Sequence, residues 1–329
     1  MTVYLLLGLT SLVLTLILTP LIGRASTRLG LVDAPGGRKV HLHSVPRMGG
    51  LAVCVAAAVA LALFAVVGPA MLDTPDWLTM RPLLLAGGLI FLTGLIDDVR
   101  ELDAGTKLLF EFGAAALVMS SGLLIERVTF VGQTWPLGWL AWPVTAVWLV
   151  GLTNAFNLID GIDGLATGIV VLAGSACGII LIVRGHHAEA MLLATIVGAA
   201  LGFLFFNFSP ASIFLGDSGS LLFGFLLAAT AITGWQKGAT ALAAGVPLMI
   251  FALPIVDSAL ALGRRSLAAP AAGRSIGAIL KHITQPDREH IHHRLTAMGW
   301  SVRRTVLVLY GITAVLSMLA LATANVTKP

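Results

Sequence analysis

The chain has 329 residues, 57% hydrophobic and only 11% charged, with a net charge of +4 and a mean hydropathy of +0.96. A soluble globular domain carries about 25% charged residues, so this composition excludes an ordinary soluble enzyme. It also makes the basic excess a matter of membrane orientation and not of nucleic-acid binding.

Apolar runs of about 20 residues, the signature of membrane-crossing helices, recur along the whole length. Ten spans are expected, over 2–22, 49–69, 82–97, 107–125, 139–156, 164–183, 189–208, 218–234, 239–261 and 305–324. The first lacks a basic leader and a small-residue cleavage site, so it reads as a retained span. Cys54 and Cys177 each lie inside an apolar run and read as small hydrophobes, not as a disulfide framework. Arg24 to Arg47, Arg100, Lys107 and the segment from Arg264 to Arg304 place 15 of the 20 Lys and Arg residues on one side. That bias sets orientation, so both termini are expected outside and the basic loops inside. The expected fold is therefore an all-α integral membrane protein, one polytopic domain over 1–329 with an inner loop over about 262–304.

Carboxylates carry more information, because a charge at membrane depth is expensive and usually functional. In this topology 12 of the 16 acids fall on or near the inner side. Acids contribute little to orientation, so a shared site is the better explanation. In chain order, Arg38-Lys39-Val-His41-Leu-His43-Ser-Val-Pro46-Arg47-Met-Gly-Gly50 leads into the second span. Positive-inside charge explains its Lys39 and Arg47, but not its paired histidines or its Pro-Arg-Met-Gly-Gly turn. Asp97 and Asp98 end the third span, where adjacent carboxylates can bind a divalent cation or divide one proton between them. Lys107 and Glu111 follow at helical i,i+4 spacing, which lets them neutralise each other or frees Lys107 to meet a phosphate. Val128 to Leu137 holds β-branched and aromatic residues about Gly132-Gln133, a short external hairpin, with Trp135, Trp139 and Trp142 as an interfacial belt.

Asn154-Ala-Phe-Asn157-Leu-Ile-Asp160-Gly-Ile-Asp163-Gly164 makes a tight turn of acceptor side chains. It lacks the closing Glu of a calcium-binding EF-hand loop. Phe214-Leu-Gly216-Asp217-Ser-Gly-Ser220 opens a span and does not match a serine nucleophile elbow. A carboxylate in such a Gly-rich turn suits a metal–phosphate centre. In the last inner loop, Ile291, Leu295 and Met298 predict a short amphipathic helix stopped by Gly299, with His290, His293 and Arg294 on the opposite face. Three histidines with an Arg suit a zinc site or an anion-binding face; zinc wants a further ligand, which favours the anion.

Together these elements place carboxylates, cationic side chains and Gly turns on one membrane face, which suits phosphoryl transfer by positioning and charge neutralisation. A Walker A sequence is absent, which disfavours an ATP-driven machine. A transporter would put ionisable groups near the midplane and often shows a repeat; here the acids cluster at inner helix ends.

Five of these motifs, taken in order, resemble the polyprenyl-phosphate N-acetylhexosamine-1-phosphate transferases, bacterial enzymes that start lipid-linked glycan assembly: Pro46-Arg-Met-Gly-Gly50, Asp97-Asp98, Asn157-Leu-Ile-Asp-Gly-Ile-Asp-Gly164, Gly216-Asp-Ser-Gly-Ser220 and His290-Ile-His-His-Arg294. The resemblance implies about ten helices in the bacterial cytoplasmic membrane, often as a homodimer, with the site facing the cytoplasm. It implies Mg²⁺ (Mn²⁺ as a substitute), a UDP-sugar donor and a polyprenyl phosphate acceptor, with UMP released. By the same resemblance Asp217 is the magnesium ligand, with Asp98 beside it, and one of Asp97 and Asp98 deprotonates the lipid phosphate. Asn157, Asp160 and Asp163 contact the nucleotide and diphosphate, and Phe214 packs on uracil. Lys39, Arg47 and Lys107 meet phosphates, and His290, His292, His293 and Arg294 face the sugar and pyrophosphate. The spaced His-Ile-His-His and the Arg of Pro-Arg-Met-Gly-Gly are closer to the branch using UDP-N-acetylglucosamine, which feeds O-antigen, teichoic acid or similar glycans. The muramoyl-pentapeptide branch tends to three consecutive histidines and a Pro-Thr-Met-Gly-Gly turn.

Overall fold

A computed structural model describes residues 1–33, 44–67, 77–130, 133–235, 245–268 and 290–326. Lys39, and with it His41 and His43, lies outside the described residues, as does the stretch 269–289 of the inner loop.

The chain is a multi-pass helical bundle. In order it forms α1 (Thr2–Arg28), α2 (Gly49–Val67), α3 (Trp77–Arg100), α4 (Ala104–Ser120), α5 (Ala141–Ile159), α6 (Leu165–Val183), α7 (His187–Asn207), α8 (Gly216–Trp235), α9 (Gly245–Ile250), α10 (Ala252–Ala268), α11 (Ile291–Ala297) and α12 (Val302–Val326). Among the described residues, eight helices are long and apolar enough to cross a membrane. The other two expected spans correspond to α4, 17 residues long with Lys107 and Glu111 on it, and to the α9–α10 pair, broken at Phe251. Helix α10 also runs on to Ala268, seven residues into what the sequence predicts as loop.

Burial sorts the helices. In α8, 83% of the apolar window is buried, against 22% in α1. Helix α8 is thus the central post, packed on α3 and α5 and touched by α2 and α6, while α1 rides on α7 at the margin. The exposed Leu5, Leu9, Val13, Ile17 and Leu21 of α1 form the apolar face that a bilayer requires.

Two small antiparallel pairings complete the fold. Val32 and Asp33 (β1) pair with Pro46 and Val45 (β2), a contact the sequence does not announce. Arg127–Phe130 (β3) pairs with Gln133–Pro136 (β4) as the expected hairpin, but its register corrects the turn. Phe130 faces Gln133, so Gln133 belongs to the strand and not to the turn. Trp135, Trp139 and Trp142 are exposed, as interfacial anchors must be.

The site is positioned where α3 crosses the start of α8. A Cβ on Gly94 would lie 2.5 Å from the Asp217 carbonyl oxygen and the Ser218 Cα, so only glycine admits this approach. Gly94→Ala is therefore expected to destabilise the protein by about 1–3 kcal/mol through overpacking. A lowered thermal midpoint reads this out. Gly88→Ala on the same helix, with no neighbour within 4 Å, should be neutral or stabilising.

Candidate active site

A buried helix N-terminus presents amides that water cannot reach, and these need acceptors. At α8 the acceptor is Asp98, from the end of α3. Its Oδ1 accepts the Asp217 amide at 2.7 Å, and its Oδ2 accepts the Ser218 amide at 3.1 Å and the Ser218 hydroxyl at 2.6 Å. The partial positive charge of the helix start favours a carboxylate there. Gly216 makes the turn at φ +76°, and a Cβ on it would meet the Asp98 carboxylate at 2.7 Å and the Arg47 carbonyl at 2.4 Å. The Pro46-Arg-Met-Gly-Gly turn clamps the other side: Pro46 accepts the Phe214 amide, and Phe214 and Leu215 accept the amides of Gly49 and Gly50.

With its loop fixed, Asp217 turns its carboxylate toward α4. Lys107 Nζ donates to Asp217 Oδ2 and to Asp97 Oδ2, each at 2.9 Å. Asp103 caps α4 through the Thr106 amide and hydroxyl, which fixes the helix that carries Lys107; the same bonds hold its carboxyl below the usual range. Asp97 Oδ1 accepts the Leu102 amide at 2.6 Å. That bond closes the turn in which Glu101 has φ +48°. The i,i+4 neutralisation of Lys107 by Glu111 is not what forms. Glu111 is buried at 1% exposure and receives the Asn154 amide instead.

The opposite wall comes from the end of α5. Asn157 donates to Ser220 Oγ at 3.0 Å, tying α5 to the first turn of α8. Asp163 accepts the Ala211 amide at 3.0 Å and so holds the 209–212 loop. Enclosure, then the charges of Asp217, Asp98 and Asp163, raises the Asp160 carboxyl well above the ordinary range.

These walls enclose one cavity of about 940 Å³. Asp97, Asp98, Asp217, Arg47, Lys107, Asn157, Asp160, Asp163, Phe214 and His293 line it. His290, His292 and Arg294 do not. His290 and His292 are 3% and 1% exposed, and Arg294 faces solvent. Ile291 and Leu295 of the expected helix pack on the core, but Met298, just past its end, is 76% exposed, and two of the histidines are buried. Burial pushes the His292 imidazole down to about 3, so it is uncharged. Gly299 does end α11, with φ +89° and the Trp300 amide returning to the Leu295 carbonyl.

The cavity also takes in Asp33, Glu101 and Asn207, which motif reading passed over. Asp33 pairs with Arg47 at 3.5 Å. Asn207, 2% exposed, accepts the Thr167 hydroxyl and donates to the Ile213 carbonyl. A lone Asn at the end of an otherwise apolar helix was the available signal for it.

As donors, Asp217, Asp97, Asp160 and Asp163 offer the hard oxygens that Mg²⁺ prefers, and no thiolate competes among the residues lining the cavity. Among the described residues no preformed cage of three or more His, Cys, Asp or Glu exists.

Comparison of the sequence with known proteins matches the chain to a family. Glycosyl transferase family 4 matches residues 80–235, the stretch from α3 to α8 that carries the acidic pair, Lys107, the α5–α6 turn and Asp217. Over 319 residues the chain is 36% identical to the "Probable undecaprenyl-phosphate N-acetylglucosaminyl 1-phosphate transferase" of Bacillus subtilis (strain 168), covering 96% of this chain and 84% of that protein. This chain belongs to glycosyl transferase family 4. A decaprenyl-phosphate N-acetylglucosaminephosphotransferase of Mycolicibacterium smegmatis is 34% identical, over 93% of this chain and 78% of its own length. A phospho-N-acetylmuramoyl-pentapeptide-transferase of Listeria welshimeri is 31% identical, over 84% of this chain and 83% of its own.

The Lys107 bridge makes a testable statement about stability. Lys107→Met leaves Asp97 and Asp217 facing each other without their shared cation. At this partial exposure the loss is expected to be about 1–2 kcal/mol. Adding Asp217→Asn should restore most of the thermal midpoint; a double variant no more stable than the single one would remove the bridge from the account.

Proposed function

We propose that this protein transfers N-acetylglucosamine-1-phosphate from UDP-N-acetylglucosamine to a polyprenyl phosphate such as undecaprenyl phosphate. The products are the polyprenyl-diphosphate sugar, which feeds cell-envelope glycan assembly, and UMP. One observation carries the reading: Asp217, fixed at the start of α8 by Asp98, shares Lys107 with Asp97 inside a cavity at the helix ends. The names of the Bacillus and Mycolicibacterium relatives supply the donor and acceptor classes, and their higher identity favours N-acetylglucosamine over the muramoyl donor. The basic-residue bias supports a cavity open to the cytoplasm, where a nucleotide sugar is soluble.

The chemistry is a displacement at the sugar-linked phosphorus. An oxygen of the acceptor phosphate forms the new P–O bond, the bond to the bridging oxygen breaks, and UMP leaves with that electron pair. Catalysis here is mostly placement and charge neutralisation. Lys107 reaches the reacting phosphates as a point charge, and Arg47 lies on the same cavity wall. Asp97, joined to Asp217 through Lys107, is the member of the acidic pair electrically linked to those phosphates. Asp98, with both oxygens engaged by α8, acts as the positioning group.

Charge counting supports a divalent cation. Among the described residues six acids besides the raised Asp160 carboxyl, namely Asp33, Asp97, Asp98, Glu101, Asp163 and Asp217, line the cavity against Arg47 and Lys107. An anionic diphosphate meets repulsion there unless further positive charge enters with it. Asp217 is our candidate for holding Mg²⁺; Asp98, expected beside it, has both oxygens on the start of α8, which leaves Asp97 as the neighbouring donor. When bound, the ion supplies Lewis-acid neutralisation of the diphosphate.

Purified protein given UDP-N-acetylglucosamine, undecaprenyl phosphate and Mg²⁺ should release UMP, and Asp217→Asn should lower kcat by at least about 100-fold. UMP with the muramoyl-pentapeptide donor alone would reassign the donor; no UMP with either would reject the reading. Independently of turnover, Mg²⁺ should raise the thermal midpoint of the wild-type protein and not of Asp217→Asn. An equal shift in both would move the ion elsewhere.

A further inference from the structure

Asp257 lies on α10, outside every motif used above, and is 2% exposed. A buried carboxylate needs hydrogen-bond partners or it is costly. Asp257 spends its oxygens on the start of α11. Oδ1 accepts the Ile291 amide at 2.6 Å, and Oδ2 pairs with His290 Nδ1 at 2.8 Å. His290 occupies the N-cap position of α11 but makes no side-chain cap of its own. A carboxylate from another helix caps it instead.

The contact runs onward to the cavity. The His290 ring stacks parallel to His292, with centroids 5.8 Å apart and planes within 5°. His292 packs on His293 at 4.3 Å, and His293 lines the cavity. His292 also lies beneath Gly161, in the turn between Asp160 and Asp163. A Cβ on Gly161 would come within 2.6 Å of His292 Nε2. Helix α10 itself packs on α5, which ends at that turn. The seven residues of α11 are too few to hold a helix on their own, so its placement depends on such contacts.

We propose that Asp257 is a positioning residue for the donor side of the site: it fixes His290 and the first turn of α11, and thereby seats His292 and His293 against the Asp160–Asp163 turn. The donor assignment rests on the function proposed above; the clamp itself does not. In this arrangement two of the three histidines form a platform, and only His293 is presented to the cavity. Asp257→Ala removes both acceptors. Asp257→Asn keeps an acceptor for the Ile291 amide and reverses the bond to His290, so its effect should be intermediate.

The test has two arms, both on the full-length protein in lipid nanodiscs. Hydrogen exchange followed by mass spectrometry, without substrate, should show residues 290–297 exchanging about 10- to 100-fold faster in Asp257→Ala, the size of a lost charge-assisted hydrogen bond. Exchange in α3, α5 and α8 should be unchanged. In the transfer assay, the same variant should raise the KM for UDP-N-acetylglucosamine about tenfold and leave that for undecaprenyl phosphate within about twofold. Gly161→Ala, which pushes on His292 from the other side and leaves Asp257 intact, should reproduce the donor KM effect. Wild-type exchange at 290–297, or donor and acceptor KM values that rise together, would overturn the proposal. If Asp257→Ala does not fold, Asp257→Asn and Gly161→Ala decide by the same criteria. If the wild-type protein transfers nothing, the proposed function fails, while the exchange arm still accepts or rejects the clamp.

Discussion

The hydrogen bonds between Asp98 and the first amides of α8 are the constraint on which the rest of the site depends. Helix α8 is the most enclosed of the apolar helices among the described residues, and Ser218 in its first turn is fully buried, so its N-terminal amides need protein acceptors. A carboxylate from α3 satisfies two of them and the Ser218 hydroxyl as well. That satisfaction requires α3 to come so close that Gly94 meets backbone at the crossing. The same contact leaves Asp217 on a rigid element, facing inward. Packing of the bundle and placement of the Asp217 carboxylate are therefore one event.

Electrostatics follows from that placement. Concentrating acids in a cavity is unfavourable unless cations accompany them, and Lys107 does so by bridging Asp97 and Asp217. Among the described residues, the acids that line the cavity outnumber Arg47 and Lys107. Under the proposed function, further positive charge has to accompany an anionic diphosphate into such a site.

Much of this was legible in the chain. Long apolar runs mark the helices because a bilayer admits little else, and acids stand out because each is costly at membrane depth. The Asp97-Asp98, Asn157 to Gly164 and Gly216 to Ser220 motifs fall at helix ends, as their turn-forming residues require. The histidine loop is legible only in part, for a physical reason. Amphipathic spacing finds the apolar residues Ile291 and Leu295, which pack on the core, but not a polar anchor from another helix. Asp257 is that anchor, and it holds His290 at the start of α11 while Met298 stays in the open. The i,i+4 spacing left two partners open for Lys107, and the ones it takes, Asp97 and Asp217, come from other helices.

What the amino-acid sequence determined by itself is the environment and the inventory: a membrane-embedded helical chain whose acids and turn glycines gather at one set of helix ends. Local rules suffice for that, because hydropathy, charge and turn chemistry act over a few residues. Only the tertiary structure decided the partners. Asp98 and Asp217 stand 119 positions apart, and Asp257 and His290 stand 33 apart. No periodicity links residues at such separations; the crossing of α3 on α8 and the seating of α11 against α10 do. Those crossings determine which carboxylate meets Lys107 in the cavity, which one caps a helix, and which histidines pack behind the one that lines the cavity.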